Sequence, residues 1–207
     1  MSSSSARRAR GRRPVHLVER FLGSLRTRPL DDETRAWVAA ALEPAEQSVW
    51  ETMARVDQAE GVAVAQRLDE ALTATSEAPD ARWRAAALVH DAGKQLSGFG
   101  TVGRALVTLI AAALGDARLR RWARSPAGLR ARMGRYVAHD DLGAELLARR
   151  GARPEVAAWA GAHHRPARWA ATGIPPAVCR ALAAADGEPE DEPRPADYRG
   201  GVANGPD

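Results

Sequence analysis

Cysteine is almost missing from this chain: Cys179 is the only one in 207 residues. No internal disulfide can form, so the fold must rest on a hydrophobic core. Cys179 lies in the apolar stretch "AVCRALAAAD" and reads as a small buried hydrophobe rather than a nucleophile. Long apolar runs are missing too. The longest, "VTLIAAAL" at 107–114, is far short of the ~20 residues that cross a bilayer, so no membrane span is expected. No window alternates apolar and polar residues with a period of two, and β-branched residues cluster only around 101–110, which argues against a sheet. Phenylalanine and tyrosine number two each. Most aromatic content therefore falls on six tryptophans (Trp37, Trp50, Trp83, Trp122, Trp159 and Trp169), whose spacing matches no ligand-binding box and suits core packing. Lysine is the last scarcity: Lys94 is the only one, in a chain with 30 lysines and arginines together.

What is present is an ordinary globular balance, 45 % apolar and 27 % charged, at a length that suits one domain. The net charge of +4 owes much to "ARRARGRR" at 6–13. Residues 1–13 are expected to be a disordered basic tail. It has no interleaved aromatics and reads as solvated, with contact to nucleic acid or an anionic lipid surface the weaker alternative. No apolar segment follows it as a secretory signal would require, so a soluble, cytoplasmic protein is expected. Residues 188–207, acidic and rich in Pro and Gly, are expected to be a second disordered tail.

Between the tails, 14–187 reads at helical period throughout, an all-α, single compact bundle of many helices. Predicted helices cover 14–25, with Val15, Val18, Phe21 and Leu22 on one face, then 31–42, 44–56 and about 57–73. "ARWRAAALVHD" is followed by a glycine-punctuated turn, "GKQLSGFGTVG", and a helix "RALVTLIAAAL". The arginine-rich stretch 116–135 predicts short irregular helices. Helices over 139–151, 154–164 and 175–187 follow, two of them opening on proline.

Four of the five histidines stand at the ends or starts of apolar helices: His90, His139, His163 and His164. The fifth, His16, reads as a surface residue. Asp91 follows His90, and Asp186 closes "LAAAD". Singly, each suits a cap or a satisfied polar group. Together they form the ligand set of borderline divalent metals, and the lack of cysteine among them argues against a structural zinc site. A mixed His/Asp sphere suits catalysis, because a metal makes water acidic near neutral pH. Neighbours on a regular helix point about 100° apart. His90 and Asp91 can therefore face one centre only if the helix ends there or the carboxylate bridges two metals.

"HDAGK" at 90–94 resembles the signature of the HD superfamily of metal-dependent phosphohydrolases. "HDDLGAELL" (139–147), "AHHRP" (162–166) and "LAAADG" (182–187) are similar to the blocks that follow in its extended, two-metal members. The resemblance runs from Glu60 to Asp186 and implies an HD-type bundle. It implies one or two divalent ions, with Fe, Mn, Ni, Mg and Zn undistinguished. The first would take Glu60, His90, Asp91 and Asp186. The second would take His139, His163 and His164, with Asp91 bridging. Two departures stand out. In "DQAEGVAVAQR", Glu60 occupies the position of the family's first histidine. In "GIP", Ile174 stands where one subgroup has the tyrosine of a Gly-Tyr-Pro motif, so cleavage of cyclic dinucleotides is not carried over.

The implied function is hydrolysis of a phosphomonoester or phosphodiester, with a small phosphorylated, nucleotide-like substrate and a metal-activated hydroxide. Asp91 and Lys94 are the catalytic candidates, Lys94 binding a substrate phosphate oxygen as a point charge. Arg84, Arg104 and Arg135 are candidates for the mouth of the site, or solvated surface residues. The alternative is a degenerate HD domain that binds a nucleotide or partner without turnover. Nucleic-acid binding through the basic arm and 118–135 is the weakest reading.

Overall fold

A computed structural model describes residues 29–75 and 80–187. Among them every regular element is helical. In chain order the α-helices are α1 (Asp32–Ala41), α2 (Pro44–Trp50), α3 (Arg55–Ala74), α4 (Ala81–Val89), α5 (Thr101–Leu114), α6 (Asp116–Trp122), α7 (Gly128–Val137), α8 (His139–Arg150), α9 (Pro154–Ala162) and α10 (Pro176–Asp186). Two 3₁₀ helices, Ala92–Ser97 and Pro166–Ala171, interrupt the series. The predicted helix at 14–25, His16 and both tails lie outside the described residues.

Helix α4 is the axis of the molecule. Ala85, Ala86, Ala87, Leu88 and Val89 are all fully buried. From Ala85 on the helix is apolar all round and must be covered all round, and α1, α2, α3, α9 and α10 pack on it. Gly61 permits the closest of these approaches, since a Cβ there would lie 2.4 Å from the Leu88 carbonyl oxygen. The main core gathers Val38, Trp50, Leu68, Leu88, Leu147, Trp159 and Leu182, among others. Each fully buried leucine contributes roughly 1.5–3 kcal/mol. A second, smaller core forms a lobe from α5, α6 and α7, around Val107, Leu119, Met133 and Val137. All six tryptophans pack on one core or the other, and Cys179 is buried as expected.

Two sequence expectations are corrected. The predicted helix 44–56 breaks after Trp50. The Thr52 hydroxyl and amide both bond to the Val49 carbonyl, at 2.7 and 3.1 Å, and this local turn competes with the helical ladder. Met53 stays in the core at the turn, and α3 starts afresh at Arg55. The glycine-punctuated "turn" is mostly the 3₁₀ helix Ala92–Ser97, closed by Gly98 in the left-handed region (φ 64°). Helix α5 then starts at Thr101.

Candidate metal centre

Three histidines reach the centre by the same device. Each sits just past the end of a helix or at the start of one, and its Nδ1 bonds to the carbonyl three residues before it. His90 Nδ1 lies 2.7 Å from the Ala87 oxygen, His139 Nδ1 2.8 Å from Tyr136, and His163 Nδ1 2.9 Å from Ala160. A carbonyl only accepts, so each Nδ1 donates to it and each ring turns its Nε2 inward. The problem posed by adjacent His90 and Asp91 is solved by the backbone. The α-helix ends at Val89, and Asp91 (φ −94°, ψ 10°) turns the chain into the 3₁₀ helix.

The Asp91 carboxylate stands between two groups. Its Oδ1 lies 3.3 Å from His139 Nε2 and 3.9 Å from His163 Nε2. Its Oδ2 lies 3.3 Å from His90 Nε2 and accepts a bond from the Lys94 ammonium. Asp186 Oδ1 lies 3.5 Å from His90 Nε2 on the far side. The exposed His164 completes the ring of imidazoles, with centroids 3.9 Å from His163 and 5.5 Å from His139. Two sets offer ligand atoms within 4.8 Å of one another and can hold a metal ion: His139, His163 and His164, and His90, Asp91 and His163.

The fit to a cation rests on what these atoms lack. His90 Nε2, Asp91 Oδ1, His139 Nε2 and His163 Nε2 are buried with no hydrogen-bond partner. Their mutual separations fall within ion-pair range without hydrogen-bond alignment. Buried polar groups are normally paired, and four converging orphans mark a place for something to sit. The electrostatics agree. Burial disfavours ionised Asp91, yet Lys94 and then His90 hold its carboxyl well below the usual range. Burial disfavours charged His90, yet Asp91 and Asp186 lift its ring well above the usual value. The two aspartates thus favour positive charge beside His90. Burial and the neighbouring His90 keep His163 well below its usual value, neutral and able to coordinate.

Glu60 stands apart. Its side chain is 36 % exposed, and Oε1 lies 3.6 Å from the Arg67 guanidinium. Arg67 Nε donates to the Ala185 carbonyl at 2.6 Å, which ties this pair to the end of α10 beside Asp186. Glu60 belongs to neither ligand set. Arg84 does not line the centre through a free guanidinium, because Asp69 accepts its Nε at 2.7 Å. Arg104 is buried on Asp57 and the Phe99 carbonyl rather than solvated.

Two supports went unread in the sequence. Asp140 is fully buried, takes both Arg120 nitrogens at 2.8 Å, and takes Arg165 at 2.5 Å. Asp141 takes Arg165 and Arg168. This network clamps the start of α8, which carries His139, to the segment just past His164. The doublet after His139 was the only signal, and it suits any helix N-terminus. The other support is Gly93. A Cβ there would fall 1.8 Å from the His139 carbonyl oxygen and 2.7 Å from the Gly143 nitrogen. The two glycines let the strand of ligands around Asp91 meet α8 backbone to backbone.

Residues 59–195 match the family model described as the HD domain. The chain belongs to the HD domain family. Its members are metal-dependent phosphohydrolases as a class. Neither a curated protein nor a solved structure matches the chain.

Proposed function

We propose that this HD domain is a metal-dependent phosphohydrolase acting on a small phosphorylated substrate of nucleotide type. The observation that carries the reading is the convergence of four unpartnered buried ligand atoms from His90, Asp91, His139 and His163. In this reading His139, His163 and His164 hold one metal, and His90, Asp91 and Asp186 hold the other, with Asp91 shared. Glu60, paired with Arg67 through Oε1, is in neither set. A divalent metal so bound supplies an activated water and neutralises charge on the phosphoryl group. The chain's own residues do the rest. The i−3 carbonyls fix the three rings, so that no reorientation is needed on binding. Lys94 keeps Asp91 ionised and presents its ammonium at the edge of the centre, where a phosphate oxygen can take one of its three donors.

The test is metal content of the purified protein by elemental analysis, followed by phosphatase and phosphodiesterase screening with manganese, iron and nickel. Bound metal and metal-dependent turnover are expected. No metal and no turnover with any ion would sink the enzyme reading. One observation favours a second reading, a nucleotide- or partner-binding module without turnover: Glu60 faces Arg67 instead of the ligand sets. That reading expects a nucleotide-induced rise in Tm with no product formed.

A further inference from the structure

Among the described residues, five large apolar side chains are exposed: Val102, Leu106, Leu109, Leu114 and Leu129. All five belong to the lobe of α5, α6 and α7. Three of them, Val102, Leu106 and Leu109, recur at i, i+4 and i+7 and make one stripe along α5. Arg104, Val107 and Ala111 point the other way, into the lobe. Single exposed leucines are ordinary, but a stripe on a helix whose opposite face is already buried is a surface meant for contact.

The same lobe is strongly cationic. Residues 98–138 hold eight arginines against one acid, Asp116. Arg104 and Arg120 are engaged by Asp57 and Asp140, and Arg132 donates to the Ser97 carbonyl. Arg118, Arg121, Arg124 and Arg130 are exposed, on α6, α7 and the turn between them. Those two helices pack on α5. A lobe that exposes an apolar stripe on one helix and arginines on the two helices packed with it suits one kind of surface, apolar below and anionic above.

We propose that this lobe docks on an anionic lipid surface. Helix α5 lies in the interfacial plane with Val102, Leu106 and Leu109 in the acyl–headgroup boundary, and the exposed arginines meet lipid phosphates. The docking is interfacial: α5 has 14 residues, short of the ~20 that cross a bilayer. A second copy of the chain fits worse, because a face-to-face pairing sets like-charged arginine fringes together. A nucleic acid would use the arginines but leave the stripe in water, and no aromatic ring is among the exposed large residues.

The experiment is flotation of the full-length chain with phosphatidylcholine vesicles, alone and with about 30 % phosphatidylglycerol. Binding to the anionic vesicles only, weakened by salt, is expected. Leu106→Ser/Leu109→Ser and Arg118→Ser/Arg121→Ser/Arg124→Ser should each lower binding by about a hundredfold. Replacing the five arginines of residues 7–13 by serine should leave most of it. Circular dichroism and Tm confirm that each variant is folded. No flotation, equal flotation with neutral vesicles, indifference to the leucine variant, or loss only with the tail variant overturns the proposal. So does a dimer that the leucine variant dissociates, or nucleic-acid binding, when either occurs without vesicle binding.

Discussion

Asp91 is the residue on which the centre turns, because its two oxygens face different sets of imidazoles. Asp91→Ala should therefore lower metal content for every ion bound, whereas His164→Ala, at the exposed edge, should lower only one share. His163→Ala should weaken binding by more than the roughly 10–100-fold that loss of an outer-shell partner causes. Glu60→His should keep or raise the metal-to-protein ratio, since it restores a neutral nitrogen donor and frees Arg67 from its pair. Elemental analysis after gel filtration reads all four variants. If Asp91→Ala retains the parent's full complement, the shared-ligand assignment is wrong. These residues were legible as candidates because they are spelled in order along the chain. The place of Glu60 was not, because its position in a motif says nothing of Arg67 two turns further along the same helix.

At the level of elements, two contacts hold the ligand segments together, and neither could be read from one sequence. In the sequence Gly93 only opens the glycine-punctuated stretch "GKQLSGFGTVG". It is glycine because the 3₁₀ helix meets α8 with no room for a methyl group. Gly93→Ala must push Asp91 away from His139, and should lower stability by about 1–3 kcal/mol and weaken metal binding in the same variant. Gly100→Ala, where a Cβ meets nothing within 4 Å, is the control and should do neither. Thermal melts and metal titration of the two variants decide this. The second contact is Asp140. Burial pushes its carboxyl up, but Arg120 more than reverses this and brings it to about 2, below the ordinary 3.8. A depressed folded pKa adds stability that is complete above about pH 4 and is lost as pH falls towards 2. The shift corresponds to roughly 2 kcal/mol. Asp140→Asn should therefore flatten the acid limb of the Tm–pH curve between those values. The all-α class and most helix spans followed from periodicity, which is local. The break after Trp50 and the 3₁₀ helix at 92–97 depend on i to i+3 bonds that periodicity does not report.

On the scale of the whole molecule, the candidate ligands come from four separate places: the junction of α4 with the 3₁₀ helix, the start of α8, the end of α9 and the end of α10. They meet only when the bundle is closed around α4, so an ion that binds them binds the folded chain and not the unfolded one. Ligand binding of this kind raises stability by RT ln(1 + [L]/Kd), about 2.7 kcal/mol at a hundredfold excess over Kd. For a domain of this size that is a rise in Tm of about 5–10 °C. The four buried atoms that lack partners act through Kd, making it smaller than at a surface site, so less metal is needed for the same rise. Manganese, iron or nickel added to chelator-treated protein should thus raise Tm, and chelator should reverse it. Asp91→Ala should melt at the same temperature with and without metal. An unchanged Tm for the parent with every ion would mean that the converging imidazoles are a polar core and not a metal centre.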